Sequence, residues 1–130
     1  MRFPKGIRVK DLKRGAGEIA TKGRIAALHY DCYLPRGEKC NTSRDTHYPL
    51  QFEVGQRNTF PAIDYGVVGM AVGGVRSIRV SSQLTYYERK QNPNLPENVA
   101  LRYEIELFRI SDQWDNTLYA PIFPWLAKDP

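Results

Sequence analysis

Phe60-Pro61-Ala62-Ile63-Asp64-Tyr65-Gly66-Val67 decides the fold, because it carries the one convincing helical period in a chain otherwise written in strands and turns. Pro61 suits a first helical position, where a missing N–H costs nothing, and Gly66 suits a stop. Phe60, Ile63 and Val67 share one face, so the spacing predicts a short amphipathic helix. Outward from it, Ile7-Arg8-Val9-Lys10-Asp11-Leu12 alternates apolar and polar residues as a half-buried strand does. Arg14-Gly15-Ala16-Gly17 reads as a loop. Residues 24 to 34 read as a longer strand, Pro35-Arg36-Gly37 supplies a turn, and the chain returns through Lys39 and Cys40, which predicts a hairpin. Residues 50 to 54 form another short strand. Downstream, residues 75 to 80 alternate again, and Val99, Leu101, Tyr103, Ile105 and Leu107 fall on one side of a long strand. Between those two strands, residues 83 to 98 read as a polar loop with Pro93 and Pro96, too long for a hairpin turn and so a candidate functional loop. Many strands and one helix imply a curved antiparallel sheet wrapped over one short α-helix, an α+β layer arrangement. No internal repeat or low-complexity tract interrupts it.

Composition bounds this reading. A chain of 130 residues accommodates one compact domain and not two. With 42% hydrophobic and 25% charged residues it belongs with globular chains, not disordered ones. No apolar run approaches the roughly 18 residues of a membrane span, and the opening Met1-Arg2-Phe3-Pro4-Lys5-Gly6 lacks the apolar centre of a signal peptide. The expectation is a cytoplasmic protein without membrane contact. Of the net charge of +5, eight basic residues against Asp11 and Glu18 place +6 within the first 24 residues. Such a segment steers toward anionic partners, nucleic acid, ribosomes or acidic proteins among them. No aromatic residues interleave with these charges to stack bases, so a solvated first strand is expected and nucleic acid is not.

Several chemistries are excluded by spacing. His29, Cys32, Cys40 and His47 could number a tetrahedral metal set, but no CxxC or HxxxH pair is present. Strand alternation also points His29 away from Cys32, so no metal is expected. If the hairpin turns at Pro35-Arg36, Cys32 and Cys40 fall directly opposite each other; a cross-strand disulfide is geometrically conceivable, and free thiols are expected in a reducing compartment. Gly73-Gly74 lacks the Lys-Ser/Thr of a phosphate loop and precedes a strand, which makes it turn chemistry. Neither a Ser-His-Asp set nor a paired-carboxylate site is present.

The landmarks His29-Tyr30, Gly37-Glu38-Lys39, Pro49-Leu50-Gln51-Phe52, Val54-Gly55, Asp64-Tyr65-Gly66-Val67, Gly69-Met70-x-x-Gly73-Gly74, Leu84-Thr85-Tyr86, Leu95-Pro96 and Leu101-x-Tyr103-Glu104-Ile105-Glu106-Leu107 follow one another in a telling order. The set resembles the FKBP-type peptidyl-prolyl isomerase domain over roughly residues 7 to 110 without a gap. The resemblance implies an FKBP-like domain over residues 1 to 110 and an extension over 111 to 130. It also implies cis/trans isomerisation of X-Pro bonds in peptides or unfolded protein clients, with no cofactor. Carried over by position, Tyr86 offers its hydroxyl to a substrate carbonyl, with Tyr30 and Asn41 beside it in the catalytic set. Cys40, Leu50, Phe52, Thr59, Phe60, Ile63, Leu95 and Tyr103 form the implied substrate-binding lining, with Phe60 also donating its backbone amide to bound peptide. Departures from the family pattern are Cys40-Asn41, where it has Phe-Asp, and Ile63, where an indole usually forms the floor. Asn41 keeps the shape of aspartate without its charge, so it cannot pair with Arg44, and Ile63 forgoes a flat aromatic face. The expectation is a roomier pocket, reduced catalytic efficiency and weak affinity for the family's macrolide inhibitors. The competing reading is a non-catalytic peptide-binding or chaperone module on the same fold.

Without the resemblance, Tyr30, Phe52 and Tyr103 would be ordinary core aromatics, and Tyr86 and Tyr87 loop anchors. The extension is rich in aromatics and prolines, with Trp114, Tyr119, Phe123 and Trp125 beside Pro121, Pro124 and Pro130. A strap on the outer face of the sheet is expected. The sharper expectation is that Phe123-Pro124 enters the protein's own pocket or a neighbour's, joining copies into a homo-oligomer.

Overall fold

The computed structural model describes residues 3–46 and 48–115, so His47 and the extension beyond Asp115 lie outside the described residues, and with them the Phe123-Pro124 expectation. Strands β1 (Ile7–Lys13), β2 (Ile25–Tyr33), β3 (Lys39–Thr42), β4 (Leu50–Glu53), β5 (Val75–Val80) and β6 (Leu101–Ser111) form one antiparallel sheet. Its order is β1-β5-β6-β2-β3, and β4 also pairs with β2. The far edge of β2 therefore changes partner along its length, meeting β4 from Ile25 to Leu28 and β3 from Asp31 onward. Period two sets the faces: Leu101, Tyr103, Ile105 and Leu107 of β6 are buried, while Arg102, Glu104 and Glu106 between them are not. A bulge between Ala27 and Leu28 leaves Phe108 outside the β2–β6 register, and its ring meets His29 edge-on at 5.4 Å.

Helix α1 (Pro61–Gly66) packs on the inner face, and Ala62, Ile63, Asp64 and Gly66 are buried. Gly66 is required by proximity more than by its suitability as a stop, since a Cβ there would stand 2.3 Å from Ile78 Cδ1. Beneath it the buried Arg76 guanidinium donates to the carbonyls of Gly66 at 2.8 Å and Val68 at 2.9 Å, and to Asp11 at 2.7 Å. A cation thus satisfies the end of α1 where the helix dipole is negative. At the other end the buried Asp64 carboxylate accepts from the Gly55 amide at 2.9 Å, fixing the loop after β4 to the helix.

Two expectations change. The interval read as a polar loop holds a 3-10 turn (Ser82–Leu84) and a second helix, α2 (Tyr86–Gln91). The hairpin pairs Cys32 with Asn41 and Tyr33 with Lys39, so a bulge carries Cys40 out of the position opposite Cys32. The two free thiols still lie 3.5 Å apart, well beyond the ~2.05 Å of a disulfide. Strand alternation turns His29 toward Ser43, with Nδ1 and Oγ 2.9 Å apart, while Cys32 is buried in the core. Among the described residues no helix is long and apolar enough to cross a membrane.

Candidate functional site

A cavity of about 210 Å³ opens between the β2–β3 hairpin, the entry to α1, helix α2 and the start of β6. Two rings, Phe60 and Tyr103, line its aromatic side, and Tyr30 packs against both. Tyr103, fully buried, stands with its centroid 5.8 Å from Tyr30 and 6.3 Å from Phe60, and Tyr30 meets Phe60 edge-on at 6.4 Å. Such tilted and edge-on arrangements suit the ring quadrupoles and hold each ring in place. Phe60 sits there because it precedes Pro61 in an extended conformation, φ −56° and ψ 140°. Its carbonyl accepts from the amides of Ile63 and Asp64, both at 2.9 Å, opening α1, while its own N–H has no partner among the described residues.

The opposite side is polar. Glu88, Gln91 and Asn92 of α2 and its C-terminal edge face Asn41 of β3 and the apolar Leu95 and Leu101. Glu88 is buried at 5% exposure; its Oε2 accepts from the Tyr103 hydroxyl at 2.8 Å and its Oε1 has no partner among the described residues. Burial raises the Glu88 carboxyl above its ordinary 4.5, and the Tyr103 hydrogen bond opposes this without cancelling it. The same burial, with Cys32 and Glu88 nearby, pushes the Tyr103 phenol far up, and desolvation followed by Cys40 does the same for the Cys32 thiol. Cys32 is therefore a protonated wall and not a nucleophile. Tyr30 is also raised by burial, while Asn41 Nδ2 donates to its hydroxyl oxygen at 3.3 Å and acts the other way.

Cys40, Asn41, Phe60, Leu95 and Tyr103 thus line one cavity, with Tyr30 packed against two of its rings. Others of the implied set lie elsewhere. Ile63 and Phe52 are closed into the core, Leu50 packs against it from β4, and Thr59 is half-buried in the bend before Phe60; none lines the cavity. Tyr86, implied to present its hydroxyl, is 54% exposed, with its ring against Tyr87 at 5.5 Å and under Lys90. The reason is helical: α2 turns Glu88 inward and leaves Tyr86 and Tyr87 outside. Arg44, without a carboxylate at position 41, pairs instead with Asp31 at 3.4 Å and Glu106 at 3.1 Å on the outer face.

Glu88, Gln91 and Asn92 escaped a reading that took this interval as loop. The signal was Thr85-x-x-Glu88, the spacing of a helix capping box. In the structure neither side chain caps: the Thr85 hydroxyl lies 2.9 Å from the carbonyls of Ser82 and Val99, and Glu88 goes to Tyr103.

Residues 17–108 match the family model of the FKBP-type peptidyl-prolyl cis-trans isomerase. An FK506-binding protein of Neisseria meningitidis serogroup B is 30% identical over 105 residues, which cover 81% of this chain and 96% of that protein. FK506-binding protein 4 of Emericella nidulans is 34% identical over 106 residues, 82% of this chain and 22% of that longer one. Its namesake in Dictyostelium discoideum is 31% identical over 105 residues, 28% of its length.

Proposed function

This chain belongs to the FKBP-type peptidyl-prolyl cis-trans isomerase family, and we propose that it turns X-Pro bonds of peptides or unfolded proteins in the cavity bordered by Phe60 and Tyr103. The carrying observation is the interlocked set of Tyr30, Phe60 and Tyr103 at that cavity. Rotation about an imide has a barrier of ~20 kcal/mol and needs neither nucleophile nor metal. An apolar wall that prefers the twisted imide, whose carbonyl has lost conjugation with nitrogen, lowers it. An acceleration of ~10⁴ requires only about 5.5 kcal/mol of such preference. In this reading the Phe60 amide, without a partner among the described residues, donates to a substrate carbonyl.

Glu88 sets the efficiency. A carboxylate beside the prolyl ring disfavours the dry contact that loosens the imide, so turnover is modest at neutral pH and rises as the carboxyl takes up its proton. The cavity, at about 210 Å³, is not the roomy one expected from Cys40 and Ile63, since Ile63 is closed into the core; it falls below the roughly 300–1,000 Å³ of ordinary ligand clefts, and its small size supports weak binding of macrolides. Glu88 favours a second reading as well, a peptide-binding module whose pocket has drifted from catalysis.

Protease-free isomerisation kinetics on X-Leu-Pro-Phe and X-Phe-Pro-Phe peptides separate the two. Catalysis appears as a rate above the spontaneous one that grows in Glu88→Gln. No acceleration by either form, with peptide still bound, leaves the binding module.

A further inference from the structure

The sheet face turned away from the core carries a row of cations that the pocket does not use. Arg8 pairs in register with Arg79, Arg79 with Arg102, Arg102 with Tyr33 and Tyr33 with Lys39, so one rung crosses five strands. Residues paired this way share a face, and adjacent strands lie about 4.8 Å apart, which sets like charges side by side at an energetic cost. Part of the row is neutralised: Arg102 reaches Glu104 at 3.0 Å, and Lys39 reaches Asp31 at 3.4 Å. Arg8, Arg79 and the neighbouring Lys5 are exposed and have no carboxylate partner among the described residues.

The row borders a cleft of about 580 Å³, in which Lys5, Arg8, Arg79 and Arg102 stand with Leu34 and Val80 and no acidic side chain takes part. Its size is that of a ligand site. We infer that this cleft docks an acidic peptide segment in which Asp or Glu alternates with apolar side chains. Extended chain presents alternate residues on one face about 7 Å apart, so its carboxylates meet guanidinium groups along a row rooted at about 4.8 Å intervals, within the reach of these long side chains. The side chains between them find the apolar surface of Leu34 and the exposed Pro35 on the flank of the cleft. A nucleic-acid strand fits the charge but not the surface. No aromatic ring lines the cleft for a base to stack on, and Tyr33, on the same row, is engaged by Arg102 at 4.4 Å and Lys39 at 5.9 Å.

The test is fluorescence anisotropy of a labelled peptide alternating Glu and Leu, titrated with the intact protein at low and moderate salt. Binding that weakens at least about tenfold in the double variant Arg8→Gln, Arg79→Gln, and several-fold with added salt, is the expected result. Neither residue lines the isomerase cavity, so peptide turnover stays unchanged in the variant. Its melting temperature holds or rises, because like charges have been separated, and this reports that the sheet is intact. Absence of binding, binding indifferent to the substitutions, or tighter binding of an oligonucleotide of equal charge overturns the proposal, the last by showing a nucleic-acid surface instead.

Discussion

Helices α1 and α2 have six residues each, and the cavity is bordered by α2 and by Phe60, the residue that opens α1, yet the two helices are held by different means. Neither length is stable alone in water, so each exists through what it packs against. Four residues of α1 are buried, with Arg76 on its last carbonyls and Asp64 binding the loop before it. In α2 the one buried residue is Glu88, held to the sheet by a single bond to Tyr103. One wall of the pocket is thus an extension of the core, and the other is a separate attachment resting on an ionisable group. The aromatic wall cannot be changed without unfolding cost, whereas the polar wall can be retuned almost independently.

The strongest way to break this contrast is Ile63→Ala, which empties a fully buried site in α1 and is expected to cost about 2–5 kcal/mol in urea unfolding. A loss below about 1 kcal/mol would mean that α1 is no better anchored than its partner. Gly66→Ala is the next in size. Alanine favours a helix by roughly 1 kcal/mol, but its Cβ would overlap Ile78 Cδ1, and crowding of this kind costs about 1–3 kcal/mol. Net destabilisation is expected, relieved in part when Ile78→Val removes Cδ1, the nearest of the crowding atoms, and leaves Cγ1 at 2.9 Å. If Gly66→Ala is stabilising by itself, the helix and β5 are not in tight contact.

Glu88→Gln sharpens the comparison from the other side. The folded carboxyl holds its proton to higher pH than the unfolded one, so its favourable contribution is complete below the ordinary 4.5 and is lost as pH rises through the folded value. Glutamine keeps an acceptor for the Tyr103 hydroxyl and never ionises. Thermal unfolding should show the variant above the parent at neutral pH, with the gap closing on acidification toward 4.5. Asp31 runs in the opposite sense. Its burial opposes ionisation, but Thr42 and Lys39, then Arg44, hold the carboxyl below 3.8, so both proteins lose that stability at still lower pH. A gap that stays constant with pH would remove the ionisable group from the account of α2.

The same contrast explains what could be read in the chain. Strands and α1 were legible because burial imposes period on sequence: Leu101, Tyr103, Ile105 and Leu107 alternate, and Phe60, Ile63 and Val67 repeat at helical spacing. Helix α2 buries one residue and so leaves no period; Tyr86-Tyr87-Glu88-Arg89-Lys90-Gln91 looks like solvated loop. Its one trace was the Thr85-x-x-Glu88 spacing, whose side chains then bonded elsewhere. The bulge at Cys40 was likewise silent, because a single extra residue in a hairpin changes pairing without changing composition. Resemblance placed Cys40, Asn41, Phe60, Leu95 and Tyr103 at the cavity, but it could not foresee a carboxylate entering from a helix that pattern did not announce.

Tyr86→Phe has the smallest expected effect, and its smallness is the point. The residue sits on α2 two positions before Glu88, yet its side chain is 54% exposed, packed on Tyr87 and Lys90 and absent from the cavity wall. Removing a hydroxyl that touches no part of the site should change kcat/KM for an X-Phe-Pro-Phe peptide by less than about twofold, within the range of uniform weak effects. Glu88→Gln on the same helix should exceed it in the same assay. A tenfold or greater loss in Tyr86→Phe, about 1.4 kcal/mol of transition-state stabilisation, would mean that α2 swings its outer face inward when substrate binds. The helix would then be a moving part of the site, and its light attachment through Glu88 would be the feature that lets it move.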